Sequence, residues 1–194
     1  MISLKTIELK RFVLTALILM MGGCIYAQGP TTNAGSYQQT DYPIRTFRIY
    51  PIPDPRYFLK LNTRTGQIWP IAFDEKVTKQ LEATSKGEPL VNIQNEVDNR
   101  FALYPTQNTW VYLLLDQING KMWQMEWHIK TKKAEMTPLN GSSLIDEQQE
   151  GDIRFILQST RNMWHFLLLD QINGNMWHIG WSLKSKGRSI TPIN

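Results

Sequence analysis

An all-β protein made of three tandem antiparallel hairpin repeats, with a period of 54 residues, is the fold that this sequence predicts. Three observations carry the expectation. Residues 113–120, Leu-Leu-Leu-Asp-Gln-Ile-Asn-Gly, return at 167–174, and 17 of the 28 positions in 100–127 are identical in 154–181. The same shift taken backwards carries Trp123 to Trp69, Gly120 to Gly66, Leu115 to Leu61, Tyr104 to Tyr50 and Phe101 to Phe47, a diverged copy with 7 of 28 identities to the middle one. Within each copy, apolar and polar residues alternate at a period of two, which is the periodicity of a strand with one buried face. The repeats run over about 44–92, 97–140 and 151–194.

Ahead of the repeats the chain reads as an address. Lys5, Lys10 and Arg11 precede an apolar run over 12–21, followed by small residues. Residues 1–27 are therefore expected to be a secretory signal peptide. Ten apolar residues cross only about half of a hydrocarbon core of roughly 30 Å, so a permanent membrane span is the weaker alternative. Two processing outcomes remain open. Met21-Gly22-Gly23-Cys24 resembles the lipobox of bacterial lipoproteins, which implies lipidation at Cys24, whereas Ile25-Tyr26-Ala27 offers an ordinary cleavage site before Gln28. Either outcome exports the protein, to the periplasm or the medium or to a lipid anchor on the outer membrane. Residues 28–43, rich in Gly, Thr, Gln and Asn without periodicity, read as a flexible polar lead-in to a β domain over 44–194.

Each repeat carries three strand-like segments. The first is short, at 47–50, 100–104 and 154–157, and runs into a bend holding Pro or Asn, which suit connections and not central strand positions. The second, at 110–115 and 164–169, is apolar at nearly every residue, as a strand buried on both faces would be. In copy one Arg56 and Lys60 interrupt it, so that strand is expected to keep one wet face. The third alternates: Trp123, Met125, Trp127 and Ile129 against Gln124, Glu126 and His128, with Trp177, Ile179, Trp181 and Leu183 in copy three. Asp116 to Gly120, Asp170 to Gly174 and Asn62 to Gly66 join second to third strand. In each, the leading Asp or Asn can accept backbone N–H bonds, and the Gly supplies a positive φ. A fourth short strand is expected near Thr137-Pro138 and Thr191-Pro192, whereas in copy one residues 74–87 read as a short helix or loop capped by Gly87.

The hairpin "apolar strand, Asp, turn, Gly, Trp", over 113–127 and 167–181, resembles the blades of propellers with pyrroloquinoline-quinone-type repeats, in which an Asp-x-x-x-Gly turn precedes a Trp. The Gly-to-Trp spacing is one residue shorter here. Three copies fall below the roughly four to eight blades of a propeller. The arrangements left open are a pseudo-threefold, trefoil-like domain, which the strand count favours, and an open array of small propeller-blade-like sheets.

The residues exclude several functions and offer few positive signals. With 21 basic against 17 acidic residues, and a net charge of +2 once the leader is removed, the chain lacks the clustered charge of a nucleic-acid binder. Its one cysteine lies in the leader, so no disulfide is expected in the mature protein. No HExxH or paired-Cys spacing suggests a metal, and no cofactor fingerprint is present. Asp116 and Asp170 could be imagined as the carboxylate pair of a glycosidase, but their place at the head of a turn gives each a structural task. All seven tryptophans fall at three repeat positions. Those of the third strand read as core. Trp110 and Trp164, which follow the bend and become Arg56 in copy one, are the candidates for contact with a ligand, together with Asn108 and Asn162 in the bends. The expectation is an exported, non-catalytic binding protein of the bacterial envelope that recognises a protein, such as a secreted toxin, or a glycan. The alternatives are a hydrolase acting on envelope polysaccharide or peptidoglycan and a structural envelope protein.

Overall fold

In a computed structural model the described residues are 45–73, 78–81 and 87–193, and the expected leader, Cys24 and the polar lead-in lie outside them. The described chain forms twelve strands: β1 (Phe47–Pro51), β2 (Tyr57–Asn62), β3 (Ile68–Phe73), β4 (Thr78–Gln80), β5 (Phe101–Pro105), β6 (Val111–Asp116), β7 (Met122–His128), β8 (Lys133–Pro138), β9 (Phe155–Ser159), β10 (His165–Asp170), β11 (Met176–Gly180) and β12 (Ser189–Ile193). Neighbours in sequence pair antiparallel, giving three four-stranded meanders in the orders β1-β2-β3-β4, β5-β6-β7-β8 and β9-β10-β11-β12. The first two strands of each sheet begin 54 residues after those of the sheet before, and the registers repeat: Tyr50 opposes Leu59, and Tyr104 opposes Leu113. Among the described residues there is no α-helix, and no helix is long and apolar enough to cross a membrane.

The hairpin turns close as their chemistry requires. The Gly66, Gly120 and Gly174 N–H groups donate to the Asn62, Asp116 and Asp170 carbonyls, each at 2.9 Å. The three glycines hold φ of 74°, 74° and 79°, the left-handed region that an L side chain enters at a cost. After β4 and β8 the chain returns across the turn of its own sheet: the Leu90 N–H donates to the Thr65 carbonyl at 2.8 Å and the Leu144 N–H to Asn119 at 2.9 Å. The next sheet is then stitched to the previous turn, the Phe101 N–H donating to Thr63 at 2.8 Å and the Phe155 N–H to Gln117 at 2.9 Å.

The sheets stack through two apolar clusters. One joins sheets one and two: Leu59, Leu61 and Ile68 meet Phe101, Leu103, Tyr112, Leu114, Met125 and Trp127. The other joins sheets two and three: Ala102, Tyr104, Leu113, Leu115 and Met122 meet Phe155, Leu157, Phe166, Leu168, Ile179 and Trp181. The middle sheet takes part in both, odd and even residues of β6 serving opposite faces as the pleat dictates. Among the described residues no cluster joins sheet three back to sheet one. The arrangement is the open array of blade-like sheets, and not the closed threefold domain.

Four local expectations need correction. β6 is buried at every position, but β10, nearly the same sequence, is buried only at alternate residues, and among the described residues no further sheet covers its second face. On the third strand of sheet two the expected wet face holds only in part, Gln124 being buried while Glu126 and His128 stay half-exposed. Ile129 and Leu183 lie just past the ends of their strands and are exposed. Copy one forms a fourth strand at Thr78–Gln80, paired with Ile71 to Phe73, where the sequence predicts a helix or loop. Residues 74–77 and 82–86 around it lie outside the described chain. Extending a meander at a free sheet edge satisfies a row of backbone groups that a short isolated helix would leave exposed.

Candidate functional site

The bends between first and second strands are built the same way three times. The side chains of Asp54, Asn108 and Asn162 accept the N–H two residues on, from Arg56 at 3.1 Å, Trp110 at 3.1 Å and Trp164 at 3.0 Å. Thr106 and Thr160 hydroxyls reach across to the Val111 and His165 carbonyls at 2.9 and 3.0 Å, while copy one fills this place with buried Ile52. The carbonyls of Arg56, Trp110 and Trp164 accept the N–H of Phe73, Trp127 and Trp181, at 2.6, 2.9 and 3.0 Å, which ties each bend to the end of its third strand. Asn108 and Asn162 thus have a turn task, one that a short side-chain oxygen at the head of a bend performs generally.

What stands on the three corners differs. Arg56 folds back onto Asp54 in a two-pronged ion pair, Nε and Nη2 at 2.9 and 2.8 Å, and stays largely exposed. The hydrogen bonds of Arg56 hold the Asp54 carboxyl at about 2, well below its ordinary value. Trp110 is half-buried against the cluster between sheets one and two. Trp164 is 38% exposed, its ring 4.8 Å from that of Trp181, whose indole N–H is bound to the Met163 carbonyl at 2.8 Å. Beside the first corner, Tyr57 packs on Trp127 at 5.3 Å and receives the Lys132 ammonium over its ring at 4.7 Å. The structure therefore sets Arg56, Trp110 and Trp164 at equivalent corners of successive sheets, each with its own local partners. Of the third-strand tryptophans, Trp127 and Trp181 are core, whereas Trp69, Trp123 and Trp177 are half-buried.

The repeated carboxylates have a partner that the turn motif itself does not show. Asp116 accepts the Ile118 N–H at 3.0 Å, and Asp170 accepts that of Ile172 at 3.0 Å, which is the turn role. Each is also gripped by an arginine sixteen residues upstream. Arg100 donates Nε at 3.0 Å and Nη2 at 2.8 Å to Asp116, and Arg154 donates Nε at 2.9 Å and Nη2 at 2.5 Å to Asp170, all four side chains being buried. The signal was present, since Arg and Asp recur together in copies two and three and are replaced together by Thr46 and Asn62 in copy one. The two pairs differ in environment. Burial pushes the Asp116 carboxyl above its ordinary value against the pull of Arg100, with Glu150 nearby pushing the same way. At Asp170 burial also pushes upward, but Arg154 and the Ile172 N–H outweigh it and hold the carboxyl below its ordinary value.

A pH dependence follows for Asp170. Its native value lies below its unfolded value, so its contribution is fully present above the unfolded carboxylate value of about 3.9 and is lost as pH falls through the lowered native one. Denaturant unfolding between pH 5 and 2 (roughly the range over which carboxylates titrate) should show a shallower loss of stability in Asp170→Asn than in the wild type. Equal slopes would refute the assignment.

The histidines do not converge on a metal centre: His128 faces Glu135 at 3.4 Å, and His165 and His178 stack edge to face at 4.3 Å. Among the described residues no group of three or more His, Cys, Asp or Glu is placed to hold a metal ion.

Fold and corners together define an open stack of three propeller-blade-like sheets with a repeated frame carrying variable side chains. No family model matches the chain. No curated protein matches it either. Among solved structures it is similar to the periplasmic gluconolactonase of Pseudomonas aeruginosa, with a TM-score of 0.51 and 12% identity over 76% of this chain and 38% of that one. It is also similar to a putative 6-phosphogluconolactonase of Bacteroides fragilis, with a TM-score of 0.48 and 9% identity over 76% of this chain and 37% of that one. The chain thus spans less than half the length of each. At this identity the first likeness speaks to the fold alone.

Proposed function

We propose that this chain is an exported, non-catalytic binding protein of the bacterial envelope that recognises a partner protein through the bend corners of its blades. The observation that carries the reading is Trp164. A large aromatic is exposed there on a corner held by the Asn162 cap, a backbone bond to the third strand and the Trp181 ring. Ordered aromatic and arginine side chains are the groups that most often dominate protein interfaces, because they offer large contact area with little freedom left to lose. The same frame offers Arg56 on sheet one and Trp110 on sheet two. A glycan stacking on Trp164 is the second occupant of this corner, since a flat apolar ring serves a sugar face equally well.

The gluconolactonase likeness brings no residue to this chain and does not carry a hydrolase reading. Most glycoside hydrolysis uses two carboxylates flanking the scissile bond, one as general acid and the other as base or nucleophile. Asp116 and Asp170 belong to different sheets, and each is held in its own arginine fork.

Wild type and Trp164→Ala, immobilised side by side and exposed to envelope extract, test the reading. A protein retained by the wild type should fall at least tenfold on the variant, a change of about 1.4 kcal/mol, with the circular dichroism of the two proteins unchanged. Equal retention by both would move the interface elsewhere. An empty capture together with a positive glycan array would assign the corner to sugar, and an empty capture with a blank array would overturn the binding function.

A further inference from the structure

The two end faces of the stack carry the residue types that the inner joints bury. At each joint the following sheet contributes Phe, Leu, Tyr or Phe, Leu, Met or Ile, and Trp: Phe101, Leu103, Tyr112, Leu114, Met125 and Trp127, then Phe155, Leu157, Phe166, Leu168, Ile179 and Trp181. The same repeat positions on sheet one are Phe47, Ile49, Phe58, Lys60, Ile71 and Phe73. Among the described residues no preceding sheet covers them, and Phe47 is 53% and Ile49 69% exposed. The single polar substitution, Lys60, is laid over the rings of Phe47 and Trp69, 5.6 and 4.7 Å from their centres, which leaves the face largely apolar.

The opposite end shows the complementary half. Where sheet two offers Ala102, Tyr104, Val111, Leu113, Leu115 and Met122 to sheet three, sheet three itself offers Ile156, Gln158, His165, Leu167, Leu169 and Met176, four of the six apolar and those four only half-buried. The turn beside them is equally uncovered. Gln117, Ile118 and Asn119 are buried under the return of the chain and the start of sheet three, but the identical Gln171, Ile172 and Asn173 are exposed, Ile118 at 2% and Ile172 at 59%. A methyl group on Gly66 would lie 2.7 Å from Leu90 and on Gly120 2.9 Å from Leu144, yet on Gly174 it would meet open space.

We infer that sheet three of one copy docks onto sheet one of a second copy, and sheet one of the first onto sheet three of the second, closing a two-chain ring of six blades. The joint would repeat a packing already made twice inside each chain, and this chain supplies both of its halves. A head-to-tail contact closes into a ring or runs on as a filament according to its rotation. The described sheets of two copies make six blades, inside the range of roughly four to eight that closed propellers use, whereas those of three copies make nine and those of one copy only three. Closure would bury Phe47, Ile49, Ile172, Leu167 and Leu169, and would remove the free sheet faces that invite unspecific association.

Light scattering on the purified full chain tests this directly. The wild type should have twice the chain mass at micromolar concentration. Ile49→Asp and Leu167→Asp should each give single chains, because each removes one half of the joint, with at least a tenfold rise in the dissociation constant. An equimolar mixture of the two variants should return to paired mass, since one intact tail and one intact head remain. Ile129→Asp, exposed on the β7 to β8 turn, should leave the pair intact. A wild type that stays single at 100 µM (about a hundredfold above the micromolar affinities of modest interfaces), polymer growth without closure, or pairing by Ile49→Asp alone would overturn the ring. The last result would indicate a tail-to-tail dimer.

Discussion

Arg100→Met should lower the free energy of unfolding by about 3–5 kcal/mol, a large part of the roughly 5–15 kcal/mol available to a domain. The cost arises because the Asp116 carboxylate stays behind in a buried site after its bidentate partner is gone. Arg100 also donates to the Asn95 carbonyl at 2.8 Å, so the loss extends to the linker that leads into sheet two. The second half of the experiment isolates the ionic cause. Arg100→Met combined with Asp116→Asn should recover part of the loss, since Asn keeps the oxygen that accepts the Ile118 N–H and carries no charge needing a partner. Sheet one already uses that solution, with Asn62 accepting the Arg64 N–H at 2.9 Å and Thr46 in the place of the arginine. Urea denaturation at constant slope measures both variants. A change below about 1 kcal/mol in the single variant, the scale of an exposed ion pair, would show that the fork is not the buried element described.

Leu113→Ala and Leu167→Ala remove the same side chain from the same place in two copies of one motif, and should differ severalfold in effect. Leu113 is fully enclosed between sheets two and three, so its truncation should cost about 2–5 kcal/mol through lost apolar burial and the cavity left behind. Leu167 is half-buried on the open face, so at dilutions where the chain is single its truncation should cost about 1 kcal/mol or less. At concentrations where two copies close a ring, the Leu167→Ala penalty should reappear as weaker pairing. Equal costs in the dilute limit would mean that the end face of sheet three is covered within the single chain.

Much of the site was legible because its chemistry is local. The positive φ at Gly66, Gly120 and Gly174, the capping oxygen at Asn62, Asp116 and Asp170, and the alternation that buries Trp127 and Trp181 each depend on residues only a few positions apart. The fork between Arg100 and Asp116 spans the first and second strands, so it shows in sequence only as two residues replaced together, which is a weak signal with three copies. Asn108 and Asn162 follow the opposite course. They read as contacts because they are polar and lie in a bend, and the structure adds a turn role that occupies their side-chain oxygens with the backbone two residues on. The strand at Thr78–Gln80 was missed because three residues with no alternation give no periodic signal, and a free edge of β3 is what recruits them.

By itself the sequence determined the all-β class, the 54-residue period, the three hairpins and the residues that turn them, because strand period and turn chemistry act over a few residues and need no knowledge of what lies on the other side. The tertiary structure alone decided which faces are dry. β6 and β10 share the run Leu-Leu-Leu-Asp, yet one is buried throughout and the other only on alternate residues. The pleat directs each side chain to a face, but burial depends on whether another sheet is there to meet it. That depends on position in the stack, which makes the middle sheet a core and leaves the two outer sheets each with an open face.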